Sequence, residues 1–119
     1  MDVIVENAQI LIISDDYKIV WKGFFGDHPA LKAELISDQS SIIVLHNYEG
    51  WDFTTGLNLR AYRTDGKILW CINGYESRTG DPVVDFQIER DRIAVNTWFG
   101  KRITINALTG KVQSTQFTK

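Results

Sequence analysis

Residues 46–56 read HNYEGWDFTTG, so Tyr48, Trp51 and Phe53 lie among Glu49, Asp52 and two glycines directly after the apolar run 42–45. Large aromatics go to cores or to surfaces that meet something. Trp51 and Tyr75 lie in glycine-flanked loops that also carry carboxylates, which suits anchors for a partner, and Trp51 is expected to face outward. Two further chemistries have the right residue types. His28 and His46, with Asp27 and Asp52, have the side chains of a metal or acid–base site. Yet His46 ends a strand-like run, a position that suits a hydrogen-bonded structural histidine. Glu49 and Asp52 form a carboxylate pair of the kind used in glycoside hydrolysis. A chain with 15 acidic residues offers many such pairs, so the signal is weak. Nucleotide-binding loops, nucleophile elbows, zincin motifs and paired-cysteine motifs are all missing from the sequence, and no cofactor, metal or enzymatic activity is expected.

The bulk composition narrows the classes. The chain has 119 residues, is 44% apolar and 24% charged, and carries a formal charge of −2. One globular domain over residues 1–119 is expected, without the basic excess of a nucleic-acid binder. The single cysteine, Cys71, excludes an intrachain disulfide and is expected as a buried thiol. The opening MDVIVENAQI has neither a basic region nor a long apolar stretch, and no run approaches membrane-spanning length. A cytoplasmic protein is expected, away from membranes.

Positioning of the loop residues follows from the strands. Short runs rich in Val, Ile and aromatics, cut by Gly, Asp and Asn turns, predict an all-β chain. Residues 29–37, PALKAELIS, suit two helical turns or a strand. An internal repeat favours the strand. GLNLRAYRTDGKILW (56–70) aligns without gaps on GKRITINALTGKVQS (100–114), and QILIISDDYKIVW (9–21) aligns on NLRAYRTDGKILW (58–70). PALKAELI (29–36) matches PVVDFQIE (82–89), and IIVLHNY (42–48) matches RIAVNTW (92–98). The repeats therefore predict strands at 31–36, 42–47, 57–62 and 67–72, and again at 83–88, 92–97, 101–106 and 111–117. The N-terminal stretch supplies an incomplete unit, with strands at 2–6, 9–13 and 18–22 but no first strand.

The segments DGKILW after NLRAY, and ALTGKV after RITIN, resemble β-propeller blade repeats of the quinoprotein (pyrroloquinoline-quinone-like) type. The resemblance implies four-stranded antiparallel blades and does not carry the cofactor with it. The expected architecture has about ten to eleven antiparallel strands in two to three propeller-like repeats. Their units are roughly 1–22, 29–72 and 82–117, forming a compact three-sheet or distorted sandwich arrangement.

In an up-and-down unit each loop has a fixed end. One end collects short polar turns. The other collects Phe24, Phe25, Asp27, Tyr48, Glu49, Trp51, Asp52, Phe53, Tyr75, Glu76, Arg78, Trp98 and Phe99. Phe24, Phe25 and Phe99 are expected to fold inward as a plug. Asp27, Tyr48, Glu49, Trp51, Asp52, Phe53, Tyr75, Glu76, Arg78 and Trp98 are the expected partner-contacting set. The connection from 48 to 56 is an insertion relative to its sister, where Trp98 and Gly100 are separated by one residue. Aromatic anchors ringed by carboxylates suit a basic protein partner. This general profile looks like that of bacterial toxin-immunity proteins, with Glu49, Asp52 and Glu76 standing in for nucleic-acid phosphates before a basic nuclease. A lectin-like module, stacking sugars on Trp and Tyr, and a structural propeller-like scaffold piece are the alternatives. A monomer is favoured.

Overall fold

A computed structural model describes residues 1–36, 40–73 and 81–117. The protein is all-β. Among the described residues eleven strands run in chain order: β1 Asp2–Glu6, β2 Gln9–Ile13, β3 Ile19–Gly23, β4 Ala30–Ile36, β5 Ser41–His46, β6 Leu59–Arg63, β7 Ile68–Cys71, β8 Val83–Glu89, β9 Arg92–Thr97, β10 Lys101–Asn106 and β11 Val112–Phe117. They form three antiparallel sheets, ordered β1-β2-β3, β4-β5-β6-β7 and β8-β9-β10-β11. Each is a meander, and the first lacks one strand, as the repeat predicts. The ambiguous 29–37 stretch is a strand.

The sheets stack in three layers. One buried cluster joins the second and third sheets through Ile43, Leu45, Leu59, Trp70, Phe86, Val95 and Ile103, with their neighbours. A second joins the first and second through Val3, Ile10, Ile12, Phe25, Ile42, Val44 and Tyr62. This explains the uninterrupted apolar run 42–45 within β5. Its alternate side chains point to opposite faces, and both faces are covered, so every residue of β5 is buried. The first and third sheets share neither cluster, so among the described residues the layers make an open three-sheet stack. β3 lies at the outer edge of the first sheet, with Ile19, Val20 and Trp21 exposed.

Polar links hold the second and third sheets together beside their shared core. Asn73 N–H donates to the Gly110 carbonyl at 3.0 Å, and Val112 N–H donates to the Asn73 carbonyl at 3.0 Å. Beside them the Trp70 indole donates to the Ala107 carbonyl at 3.1 Å. Gly110 is forced here. Its φ is +73°, and a Cβ would lie 2.5 Å from the Trp70 ring. Cys71 on β7 is a free thiol but only half-buried, which corrects the buried thiol expected from its apolar surroundings. The side chain sits on the short edge strand of its sheet, where cover is partial.

Candidate functional site

The pairing puts the loops at 7–8, 24–29, 47–58 and 98–100 at one end of the stack. Cross-sheet bonds tie that end together. Ala30 N–H donates to the Ala8 carbonyl at 2.9 Å, bridging the first two sheets. Asn58, fully buried, clamps the other two. Its side-chain amide donates to the carbonyls of His46 at 2.9 Å and Val83 at 3.0 Å, while its oxygen accepts from Val83 N–H at 2.8 Å.

Two layers of side chains follow at this end. The inner layer forms around His46, at the end of β5. Trp51 folds back from its loop and stacks on the His46 ring, with centroids 5.2 Å apart and planes 18° from parallel. His28 packs at 4.6 Å from Trp51, and the Arg60 guanidinium lies 4.6 Å from the indole. The Trp51 Nε1–H donates to the Gly56 carbonyl at 3.0 Å. Trp51 is therefore buried, at 7% exposure, and the outward orientation expected for it is corrected. The physical cause is local. Tight turns at 48–51 and 52–56 fold the insertion back on itself, and the buried ring of His46 together with a buried arginine gives the indole a better surface than water.

His46 has Tyr62 Oη at 2.7 Å from Nε2 and the Pro29 carbonyl at 3.4 Å from Nδ1. A carbonyl only accepts, so Nδ1 carries the proton and Nε2 accepts from the tyrosine. Burial lowers the His46 pKa to about 4. The Pro29 carbonyl works the other way, while His28 and Arg60 lower it further. Burial likewise raises the Tyr62 pKa, with Arg60 opposing. The imidazole is neutral at physiological pH. His46 is held as structure, and no group of three or more metal-ligating side chains exists among the described residues.

The outer layer faces solvent. Trp98 is 64% exposed, Phe99 49% and Tyr48 37%, and the Tyr48 and Trp98 rings lie 6.4 Å apart. Hydrogen bonds from its backbone N–H groups fix the turn that carries Trp98 and Phe99. Trp98 N–H donates to the Pro82 carbonyl at 2.9 Å, Phe99 N–H to buried Asp81 Oδ1 at 3.0 Å, and Lys101 N–H to Thr97 Oγ1 at 3.1 Å. Gly100 closes the turn at φ +85°. Phe24, at 43% exposure, also faces solvent. The inward plug expected of Phe24, Phe25 and Phe99 thus holds only for Phe25, which packs 5.0 Å from Tyr62. A turn as short as 97–100 has no slack to return its side chains to the core.

The acidic residues of these loops are in different states. Glu49 and Asp27 are exposed. Asp52 caps the 3-10 turn Phe53–Thr55, accepting from Thr54 N–H at 3.0 Å and Thr54 Oγ1 at 2.6 Å. These bonds, the side-chain one first, hold its pKa below the ordinary carboxylate value. Phe53 is half-buried against the larger core cluster. Tyr75, Glu76 and Arg78 lie outside the described residues.

Sequence reasoning missed Asn58 and Arg60. Arg60 lies between Leu59 and Ala61 on a central strand whose two neighbours are both apolar. A charge in that position needs a buried partner, and Trp51 is the side chain that meets it. Asn58 precedes the strand like any loop residue, and only the docking of β8 reveals its role.

No helix among the described residues is long and apolar enough to cross a membrane. A comparison with curated proteins finds no match. A family model described as a domain of unknown function, DUF7957, matches residues 30–117, the span of the two four-stranded sheets, and the chain belongs to that family.

Proposed function

We propose that this protein is a non-enzymatic binding module that engages a protein partner through the exposed aromatic end of its sheets. One observation carries the reading. Trp98 and Phe99 are held in solvent on a turn whose backbone is fixed by hydrogen bonds, with the exposed Tyr48 ring of the neighbouring loop 6.4 Å from Trp98. Exposed aromatics on a rigid mount lose little conformational freedom on binding, and such residues dominate interface energetics. Glu49 and Asp52, both exposed in the loop that carries Tyr48, favour a basic partner and faster encounter.

Within that class the best-fitting role is a bacterial immunity protein that neutralises a toxin, such as a basic nuclease, by covering its active site in the cytoplasm. Trp51 and His46 then act as the buried support beneath the face, and Trp98, Phe99 and Tyr48 as its contacts. The test is co-purification of the tagged full chain from its native host beside a Trp98→Ala variant. A basic, stoichiometric protein retained by the first and lost by the second supports the reading. Partner-free protein whose tryptophan fluorescence responds to simple glycans rejects it in favour of a lectin-like module. Concentration-dependent self-association untouched by Trp98→Ala favours a scaffold piece.

A further inference from the structure

Val20 and Trp21 are neighbours on β3, and in a regular strand their side chains would point to opposite faces. Here both line one cleft. The cause is a β-bulge. Ile13 pairs with Ile19 and Ile12 with Trp21, so Val20 is the extra residue, and a bulge re-aims the side chain it carries. The cleft has a volume of about 400 Å3, enough for a small molecule. Ile12, Val20 and Trp21 form its apolar wall. Ser14 and Asp15, after β2, and Thr64, after β6, stand at its mouth, at the end of the stack away from the exposed aromatic turn. The wall is held in place. Trp21 packs 4.9 Å from Phe25, and a Cβ on Gly23 would lie 2.9 Å from the indole, so the ring lies closely over the glycine.

We infer that this cleft is a binding site for a small uncharged aromatic molecule bearing a hydroxyl, of phenol to naphthol size. Val20 and Trp21 are exposed, yet they sit in a concavity where a flat ring covers both at once. Addition of a further strand to β3 is the other use of an apolar edge, and the bulge and the flanking Lys18 and Lys22 oppose it. The rim sets the charge of the ligand. No lysine or arginine side chain lines the cleft, and the Asp15 carboxylate is paired with the Met1 amino group. An acid would therefore meet a carboxylate and no free cation, and a neutral molecule suits the site. The Ser14 hydroxyl is already engaged by Asp16 and Lys18, which leaves Thr64 to meet the hydroxyl of the ligand.

Naphthol is titrated into the full chain, and the assigned Trp21 and Trp98 indole N–H and Ile12 methyl resonances are followed. Expected are shifts of Trp21 and Ile12 that saturate with a dissociation constant of about 1 mM or below, while Trp98 stays still. Naphthoate, the same ring with a carboxylate, binds at least tenfold more weakly. Val20→Arg places a long cation in the cleft from an exposed position and abolishes the shifts, and Thr64→Val weakens naphthol severalfold. Shifts that are absent, that stay linear, or that move Trp98 equally overturn the inference, as does naphthoate binding as tightly as naphthol. Trp21 and Ile12 signals that change with protein concentration alone would mean that a second copy fills the cleft, and overturn it too. Because these signals are read on the native chain, the result stands even if a variant fails to fold.

Discussion

Replacing Asn58 by Ala tests the clamp on which the exposed aromatic turn depends. The side chain is fully buried and makes three hydrogen bonds, to the His46 carbonyl, the Val83 carbonyl and the Val83 N–H. Alanine leaves the Val83 N–H buried and without that acceptor, which costs about 1–3 kcal/mol. The two carbonyls each lose a donor at about 1 kcal/mol. A destabilisation of about 3–5 kcal/mol follows, a large fraction of the roughly 5–15 kcal/mol stability of an ordinary domain. For a chain of this size it lowers the melting midpoint by roughly 12–20 °C. Asn58→Asp sharpens the test. The carboxylate still accepts from Val83 N–H but is driven against two carbonyls, so this variant is the less stable of the two at neutral pH. It recovers as the pH falls and the introduced group takes up a proton. Urea unfolding at two pH values reads both effects. An Asn58→Ala protein within about 1 kcal/mol of the parent would refute the clamp. The same loss loosens the Trp98 turn, because Trp98 N–H is anchored on Pro82, next to Val83.

Trp51→Ala empties the space between His46, His28 and Arg60 and lowers stability by about 3–5 kcal/mol in chemical denaturation; a neutral effect would mean that the indole is no support. Trp98→Ala and Phe99→Ala change stability by no more than about 0.5 kcal/mol by the same assay, since Trp98 is mostly and Phe99 about half in water. His46 has a folded pKa of about 4 against an unfolded value of 6.5. The unfolded chain therefore takes up the proton first, and stability is complete above pH 6.5 and falls towards pH 4, by about 3 kcal/mol in all. His46→Gln flattens that segment of the pH–stability curve, and a wild-type curve already flat between pH 6.5 and 4 would contradict the buried, neutral assignment. Asp52 contributes in the same sense at lower pH. Its depressed pKa gives a stabilisation present above the unfolded value and lost on acidification, which Asp52→Asn removes in an acid titration.

The strands were legible because their sequence repeats. Polar turns such as Thr64-Asp65-Gly66 and Leu108-Thr109-Gly110 punctuate the chain at equivalent positions, and antiparallel meandering then fixes which loops share an end. Side-chain direction within those loops was less legible. Trp51 and Trp98 both follow a strand in aromatic company, yet one is buried and the other exposed. The difference lies in chain length. The 47–58 loop is long enough to fold two turns and return its indole to His46, while the 97–100 turn is closed by hydrogen bonds that leave Trp98 outside. Asn58 illustrates the same limit, since its role depends on β8 arriving from elsewhere in the chain, while Arg60 meets Trp51 and Thr55 only once the adjoining loop folds back.

The exposed aromatic end as a partner-binding face is tested most directly by calorimetric titration of the co-purified partner with wild type and Trp98→Ala. Both proteins must first show the same melting midpoint. The account predicts that Trp98→Ala weakens binding by about 2 kcal/mol or more, roughly thirtyfold, with Glu49→Gln reducing the association rate and its salt dependence. A dissociation constant unchanged by Trp98→Ala in a fully folded protein would contradict it.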